Sequence, residues 1–253
     1  MVALITGASS GIGAAFARRL AFQGYDLILV ARRRQRLARL ADELHKQFGV
    51  NVEVLVVDLT DTGDVGRVER HIAELRPLDI LVNNAGFGIP ARFAETQVDR
   101  HLAMIQVHVL ASVRFSRAAL PGMLARGQGA IINVSSIGAF IPKAGDVTYC
   151  ATKAYLVTFS EALQAELRGT GVRIQALCPG FTRTEFLDNP EYEKDQIKTR
   201  IPKVLWMSTE EVVERSLAAL GQGRVACVPG FKNRLIVALA RAGVTNLLLK
   251  IFG

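Results

Sequence analysis

Tyr149 and Lys153 stand four positions apart in "YCATK" (149–153), where a helix is expected to begin. Residues i and i+4 share a helical face, so a phenol and an ammonium at this spacing reach into the same space. A free phenol ionises near pH 10, so only about one in a thousand is phenolate at neutral pH. A cation beside it favours the phenolate and moves the group toward acid–base work. The same spacing also falls by chance on solvated helix surfaces, so other residues must decide the matter.

A second group sits at the chain's start. "TGASSGIG" (6–13) follows an apolar run and opens an amphipathic stretch, with Gly7, Gly11 and Gly13 spaced G-x-x-x-G-x-G around Ser9, Ser10 and Ile12. Glycine permits a tight turn and close backbone approach to a pyrophosphate, while a helix N-terminus offers free N–H groups and positive dipole. The next apolar run ends "LVARR", with Ala31, Arg32 and Arg33 where an NAD site usually carries an acid for the ribose 2′-OH. Guanidinium forks suit a 2′-phosphate, and one charge-assisted hydrogen bond, about 1.5–3 kcal/mol, favours NADP(H) by roughly 10- to 100-fold. The plain alternative is a solvated basic helix start. Asp58, followed by Leu59, offers an acceptor for an adenine amino group, and "NNAG" (83–86) carries Asn84, Ala85 and Gly86 at another run's end. Alone, that tetrapeptide is a turn signal.

The elements that must position these residues are legible as alternation. Runs rich in Val, Ile and Leu at 2–6, 26–31, 52–58, 79–83, 129–135, 172–178 and 224–228 are separated by amphipathic stretches. Near-continuous apolar strands between helices predict a parallel sheet covered on both faces. The expected class is α/β, one doubly wound parallel sheet across residues 1–253. "STEEVVERSLAALGQG" opens with Ser208 and Glu211 as a capping box and closes on Gly221 or Gly223. Residues 184–207 break the rhythm and predict a substrate lid after a strand's carboxyl end.

Composition narrows the partners. The chain has 253 residues, a formal net charge of +8, and no basic stretch interleaved with aromatics, so nucleic-acid binding is not expected. Cys150, Cys178 and Cys227 form no metal or disulfide pattern, and Cys150 reads as packing. His45, His71, His101 and His108 lack ligand spacing, so no metal site is expected. The chain opens directly on a strand, and a cytoplasmic location is expected.

Taken in order, "TGASSGIG", "VDL" (57–59), "NNAG", "NVSS" (133–136), "YCATK" and "PGFTRT" (179–184) resemble the short-chain dehydrogenase/reductase family over nearly the whole chain. The resemblance implies a Rossmann fold and hydride transfer between NADP(H) and a ketone, aldehyde or alcohol. It implies that Tyr149 is the acid/base, that Lys153 lowers its pKa and holds the nicotinamide ribose, and that Ser136, rather than Ser135, hydrogen-bonds the carbonyl. Asn84, Ala85 and Gly86 would line the cofactor, Pro179, Gly180 and Thr182 would cover its nicotinamide end, and Arg32 would read the phosphate. A homodimer or homotetramer is also implied.

One position departs from the family. His108 stands where most members place an asparagine thought to hold a water near the lysine. Two readings stand: a modified water relay, or a packed imidazole. Phe140, Phe181, Phe186 and Trp206 suggest an apolar, lipid-like substrate, and equally suit a core. Residues 233–253, with apolar Leu235, Leu239, Leu247, Leu248, Ile251 and Phe252, suit an oligomer contact or, less well, a membrane surface. Against the enzyme stands one alternative, an NADP-binding scaffold or sensor with little turnover.

Overall fold

The computed structural model describes residues 1–75, 77–188 and 201–242. Seven strands form one sheet: β1 (Val2–Thr6), β2 (Asp26–Ala31), β3 (Val52–Val56), β4 (Ile80–Asn83), β5 (Gly129–Val134), β6 (Val172–Leu177) and β7 (Ala226–Cys227). Their order is β3-β2-β1-β4-β5-β6-β7, every neighbouring pair parallel. The seven expected strands are all present; β1 and β2 fill their apolar runs, and β3 to β7 are shorter than theirs.

The sheet is buried on both faces because its strands are apolar at successive positions. Ala3 and Ile5 of β1 join Leu27, Leu29, Val82 and Ile132 in one core. Leu4, between them, joins Ile28, Val30, Leu81 and Ile131 in the other. That is the two-residue strand period read directly as two layers. The first layer is closed by α1 (Gly11–Phe22) and α2 (Arg34–Phe48), through Phe16, Leu20, Leu37 and Leu44. The second is closed by α3 (Thr62–Glu74) and α5 (Ala111–Arg126), through Val68, Ile72, Phe115 and Met123; α4 (Val98–Ile105) precedes α5. A π-helical turn, Gln106–Leu110, joins α4 to α5. Such turns cluster at functional sites, because the extra residue re-aims its side chains.

Three more helices frame the carboxyl half. α6 (Val147–Glu166) packs on β6 through Val157, Ala176 and Cys178. α7 (Thr209–Gly221) starts on the expected capping box, Ser208 Oγ accepting from Glu211 N at 3.1 Å. α8 (Phe231–Arg241) places buried Asn233 against Gly180. The strand order reverses between β1 and β4, so the crevice for a ligand opens at their carboxyl ends.

Candidate active site

A cleft of about 830 Å³ lies at that reversal. Gly7 turns the chain out of β1 at φ +66°, and a Cβ there would stand 2.8 Å from Ala85 Cα, so only glycine fits. Thr6 Oγ1 accepts from Asn84 N at 2.9 Å and Ala85 N at 3.0 Å, while Asn84 Nδ2 donates to Thr6 O at 2.8 Å. β1 and β4 are thereby latched together at the crevice floor. Ser10 is the N-cap of α1 but makes no side-chain cap; its hydroxyl instead accepts from Arg33 at 2.6 Å. Its own N-cap therefore leaves the first-turn N–H groups of α1 uncovered. Such a turn fits a dinucleotide's pyrophosphate.

Most of the expected cofactor residues line this cleft: Gly7, Ser9, Ser10, Gly11, Ile12, Arg32, Arg33, Asp58, Leu59, Asn84, Ala85, Gly86, Pro179, Gly180 and Thr182. Gly13 does not; a Cβ there would meet Gly7 O and Asn84 Nδ2, both at 2.5 Å, so it serves the close approach of helix to turn. Asp58, expected to face adenine, has Oδ1 engaged by Thr60 N at 3.0 Å and Thr60 Oγ1 at 2.9 Å. Its Oδ2 lies 3.5 Å from Arg32. Burial pushes the Asp58 carboxyl up, but Thr60 and Arg32 together hold it below the usual carboxylate range.

Ser136, Tyr149 and Lys153 share the cleft's other end. Tyr149 lies in the first turn of α6, as its spacing predicts. Ser136 sits just past β5, accepting from Gly138 N at 3.0 Å, and its hydroxyl is a hydrogen-bond partner of Tyr149. Ser135 is committed elsewhere, donating to Lys153 O at 2.7 Å. Lys153 is 5% exposed; its Nζ donates to Val134 O at 2.9 Å and lies 5.6 Å from the Tyr149 ring centroid. Burial draws this ammonium down to about 8.

The expected lowering of the phenol is absent from the protein alone. Burial pushes Tyr149 up to about 12, and the hydrogen bond with Ser136 offsets only part of that. In a desolvated pocket the cost of a bare phenolate outweighs that one stabilising contact. Tyr149 is therefore a protonated hydrogen donor in the free protein.

His108, expected as a catalytic candidate, does not reach the cleft. It is 1% exposed in the π turn, and its Nε2 accepts from Phe87 N at 3.1 Å. An amide can only donate, so the imidazole proton sits on Nδ1, which donates to Thr152 Oγ1 at 2.9 Å. Thr152 passes that bond to Tyr149 O at 2.9 Å. Burial, then the Lys153 charge, hold this imidazole well below its usual range, so it stays neutral. Both nitrogens are engaged within the protein, which favours the packed reading over the water relay, and through Thr152 the ring is linked to the Tyr149 turn. Their centroids lie 5.9 Å apart, edge to face.

Several wall residues are not singled out individually in the sequence, although Glu185, Ile201 and Pro202 fall within the expected lid. Phe87, Ile141, Lys143, Glu185, Ile201 and Pro202 line the cleft, and Cys150, expected as packing, is on its wall as well as buried. Of the four aromatics expected at the site, Phe181 and Phe186 line it, Phe186 with its ring centroid 5.8 Å from that of Tyr149. Phe140 and Trp206 do not: Phe140 packs under Arg241, and Trp206 lies against Phe181. The ends of the expected lid are joined where Met207 N donates to Phe181 O at 2.9 Å and Arg183 N donates to Met207 O at 3.0 Å. Residues 189–200 of that lid, and Leu247, Leu248, Ile251 and Phe252, lie outside the described residues. Leu235 and Leu239 are 51% and 37% exposed on α8. Among the described residues no helix is long and apolar enough to cross a membrane, and no three His, Cys, Asp or Glu side chains are grouped to hold a metal ion.

A parallel sheet of this order, with a glycine turn at its reversal, is the architecture of the Rossmann-type proteins. The short chain dehydrogenase family model matches residues 1–195. The very-long-chain 3-oxoacyl-CoA reductase of Anas platyrhynchos is 29% identical over 255 residues, covering 98% of this chain and 78% of its own length. Two solved structures are similar. A short-chain dehydrogenase from Sphingobium yanoikuyae in complex with NADPH has TM-score 0.84 and 35% identity, covering 97% of this chain and 95% of its own. The bulky-bulky ketone specific alcohol dehydrogenase of Comamonas testosteroni has TM-score 0.81 and 31% identity, covering 97% and 93%. The chain belongs to the short-chain dehydrogenase/reductase family and is an oxidoreductase of the carbonyl/alcohol type.

Proposed function

We propose that this protein is an NADP(H)-dependent oxidoreductase that interconverts a ketone or aldehyde and an alcohol, with Tyr149 as acid and base and an apolar substrate. The observation that carries the reading is the convergence of Ser136, Tyr149 and Lys153 at one end of a cleft whose other end holds the glycine turn and Arg32. The NADPH complex of the Sphingobium yanoikuyae relative supports the cofactor assignment. Arg32 is 69% exposed and only loosely paired with Asp58 at 3.5 Å, so its guanidinium can turn to a 2′-phosphate.

A bound nicotinamide supplies or accepts the hydride. In reduction, negative charge builds on the carbonyl oxygen, and Tyr149 and Ser136 both offer hydroxyl donors to it. Tyr149, protonated in the free protein, gives its proton to that oxygen; in oxidation it takes the proton back. Lys153, buried beside the ring, stabilises the phenolate left behind. Ile141, Phe186, Ile201 and Pro202 exclude water and favour an apolar group beside the carbonyl.

The test is purified protein incubated with NADPH and a panel of ketones and aldehydes, including bulky aryl ketones and 3-oxoacyl thioesters. Turnover supports the enzyme. Tight NADPH binding without oxidation by any member of the panel returns the protein to the scaffold reading.

A further inference from the structure

The two arginines after β2 are not equivalent. Arg33 commits its guanidinium within the protein: Nε donates to Ser9 Oγ at 2.9 Å, one terminal nitrogen to Ser10 Oγ at 2.6 Å, and the other to Glu185 at 2.9 Å. Arg36, in the first turn of α2, donates to both Glu185 oxygens at 2.6 Å. Glu185 comes from the opposite wall, at the start of the short 3₁₀ turn Glu185–Asp188 that follows β6. Thr184 before it rests on the glycine turn, its methyl 3.1 Å from where a Cβ on Gly11 would lie. The carboxylate therefore reaches across the cleft mouth into the arginine cluster beside the glycine turn.

We propose that Glu185 is a built-in competitor for the 2′-phosphate of NADP(H): it occupies Arg33 and Arg36, and the phosphate monoester displaces it. The proposal rests on the NADP(H) reading above. A carboxylate offers these guanidiniums one charge and two oxygens, whereas a phosphate monoester offers nearly two charges and three oxygens. The two guanidiniums hold Glu185 below the usual carboxylate range, so it is ionised at neutral pH. All three side chains are 43–47% exposed, and ion pairs of that exposure are individually weak, so the exchange is accessible. NAD(H), with no phosphate at that position, leaves the pairs in place. Glu185 thus taxes only the phosphorylated cofactor, and recapture of the arginines speeds its release after turnover.

Calorimetric titration of the full-length protein and its Glu185→Gln variant tests this with four probes: NADPH, NADH, adenosine 2′,5′-bisphosphate and 5′-AMP. The substitution is isosteric and half-exposed, and thermal unfolding checks that the fold is retained. The expected result is a Kd about three- to tenfold lower for NADPH and the bisphosphate, with NADH and 5′-AMP within about twofold of wild type. Glu185→Asp, which keeps the charge, is expected to bind as wild type. Unchanged affinities, equal tightening of all four probes, or weaker NADPH binding by Glu185→Gln would each overturn the proposal. Wild-type protein that bound neither NADPH nor the bisphosphate would overturn the cofactor reading and the proposal with it.

Discussion

Gly86 leaves no room for a side chain against His108: a Cβ on Gly86 would stand 2.7 Å from His108 Nε2. The "NNAG" glycine is thus tied to the residue that departs from the family pattern. Gly86→Ala is expected to destabilise the fold by about 1–3 kcal/mol through overpacking. His108→Ala in the same chain should relieve most of that loss, because the two sites share one volume. Chemical denaturation of the two single variants and the double variant measures the coupling; additive effects would separate the residues.

His108→Asn is expected to stay active, within about tenfold of wild type, because the ring acts through packing and the Thr152 bond. Burial and Lys153 keep the imidazole neutral, so the wild-type pH–rate profile should show no step near pH 6.5 that the variant loses. Loss of turnover in the variant, with the fold intact, would make the histidine indispensable as such.

Lys153 carries a stability cost with a definite sign. Its pKa falls from 10.5 to about 8 on folding, so between those values the unfolded chain binds the extra proton and stability rises with pH. Below about pH 8 the full cost applies, on the order of 3 kcal/mol. Lys153→Met removes it. Denaturation at pH 7.5 and pH 10.5 should therefore show wild type gaining about 3 kcal/mol on the variant. A pH-independent gap would place the ammonium in water-like surroundings.

Arg32→Ala is expected to weaken NADPH binding by about 10- to 100-fold and to leave NADH nearly unchanged. Equal loss for both cofactors would assign Arg32 to the adenosine frame rather than to the phosphate.

The sheet was legible because its strands are buried on both sides. Runs such as "VALIT" and "DLILVA" need no alternation to be recognised once helices separate them. The cofactor turn and Tyr149 with Lys153 were legible because their chemistry lies within one local element. What stayed hidden depends on distant contacts. Nothing local ties Glu185 to Arg33 and Arg36, or His108 to Phe87 and Thr152. The π turn at Gln106–Leu110 leaves no mark in an apolar period of 3.6. Phe140 and Trp206 are aromatic and near the site in sequence, yet Arg241 and Phe181 take their rings. Residue type alone could not say which aromatics face the cleft.

The most direct measurement is reduction of an accepted ketone by the Tyr149→Phe variant, with NADPH binding followed in parallel. The ring and its packing against His108 and Phe186 persist in that variant, and only the hydroxyl is removed. NADPH affinity within a few-fold of wild type, with turnover lowered by about a thousandfold or more, is the predicted result. Turnover within tenfold of wild type would contradict the assignment of acid–base work to Tyr149.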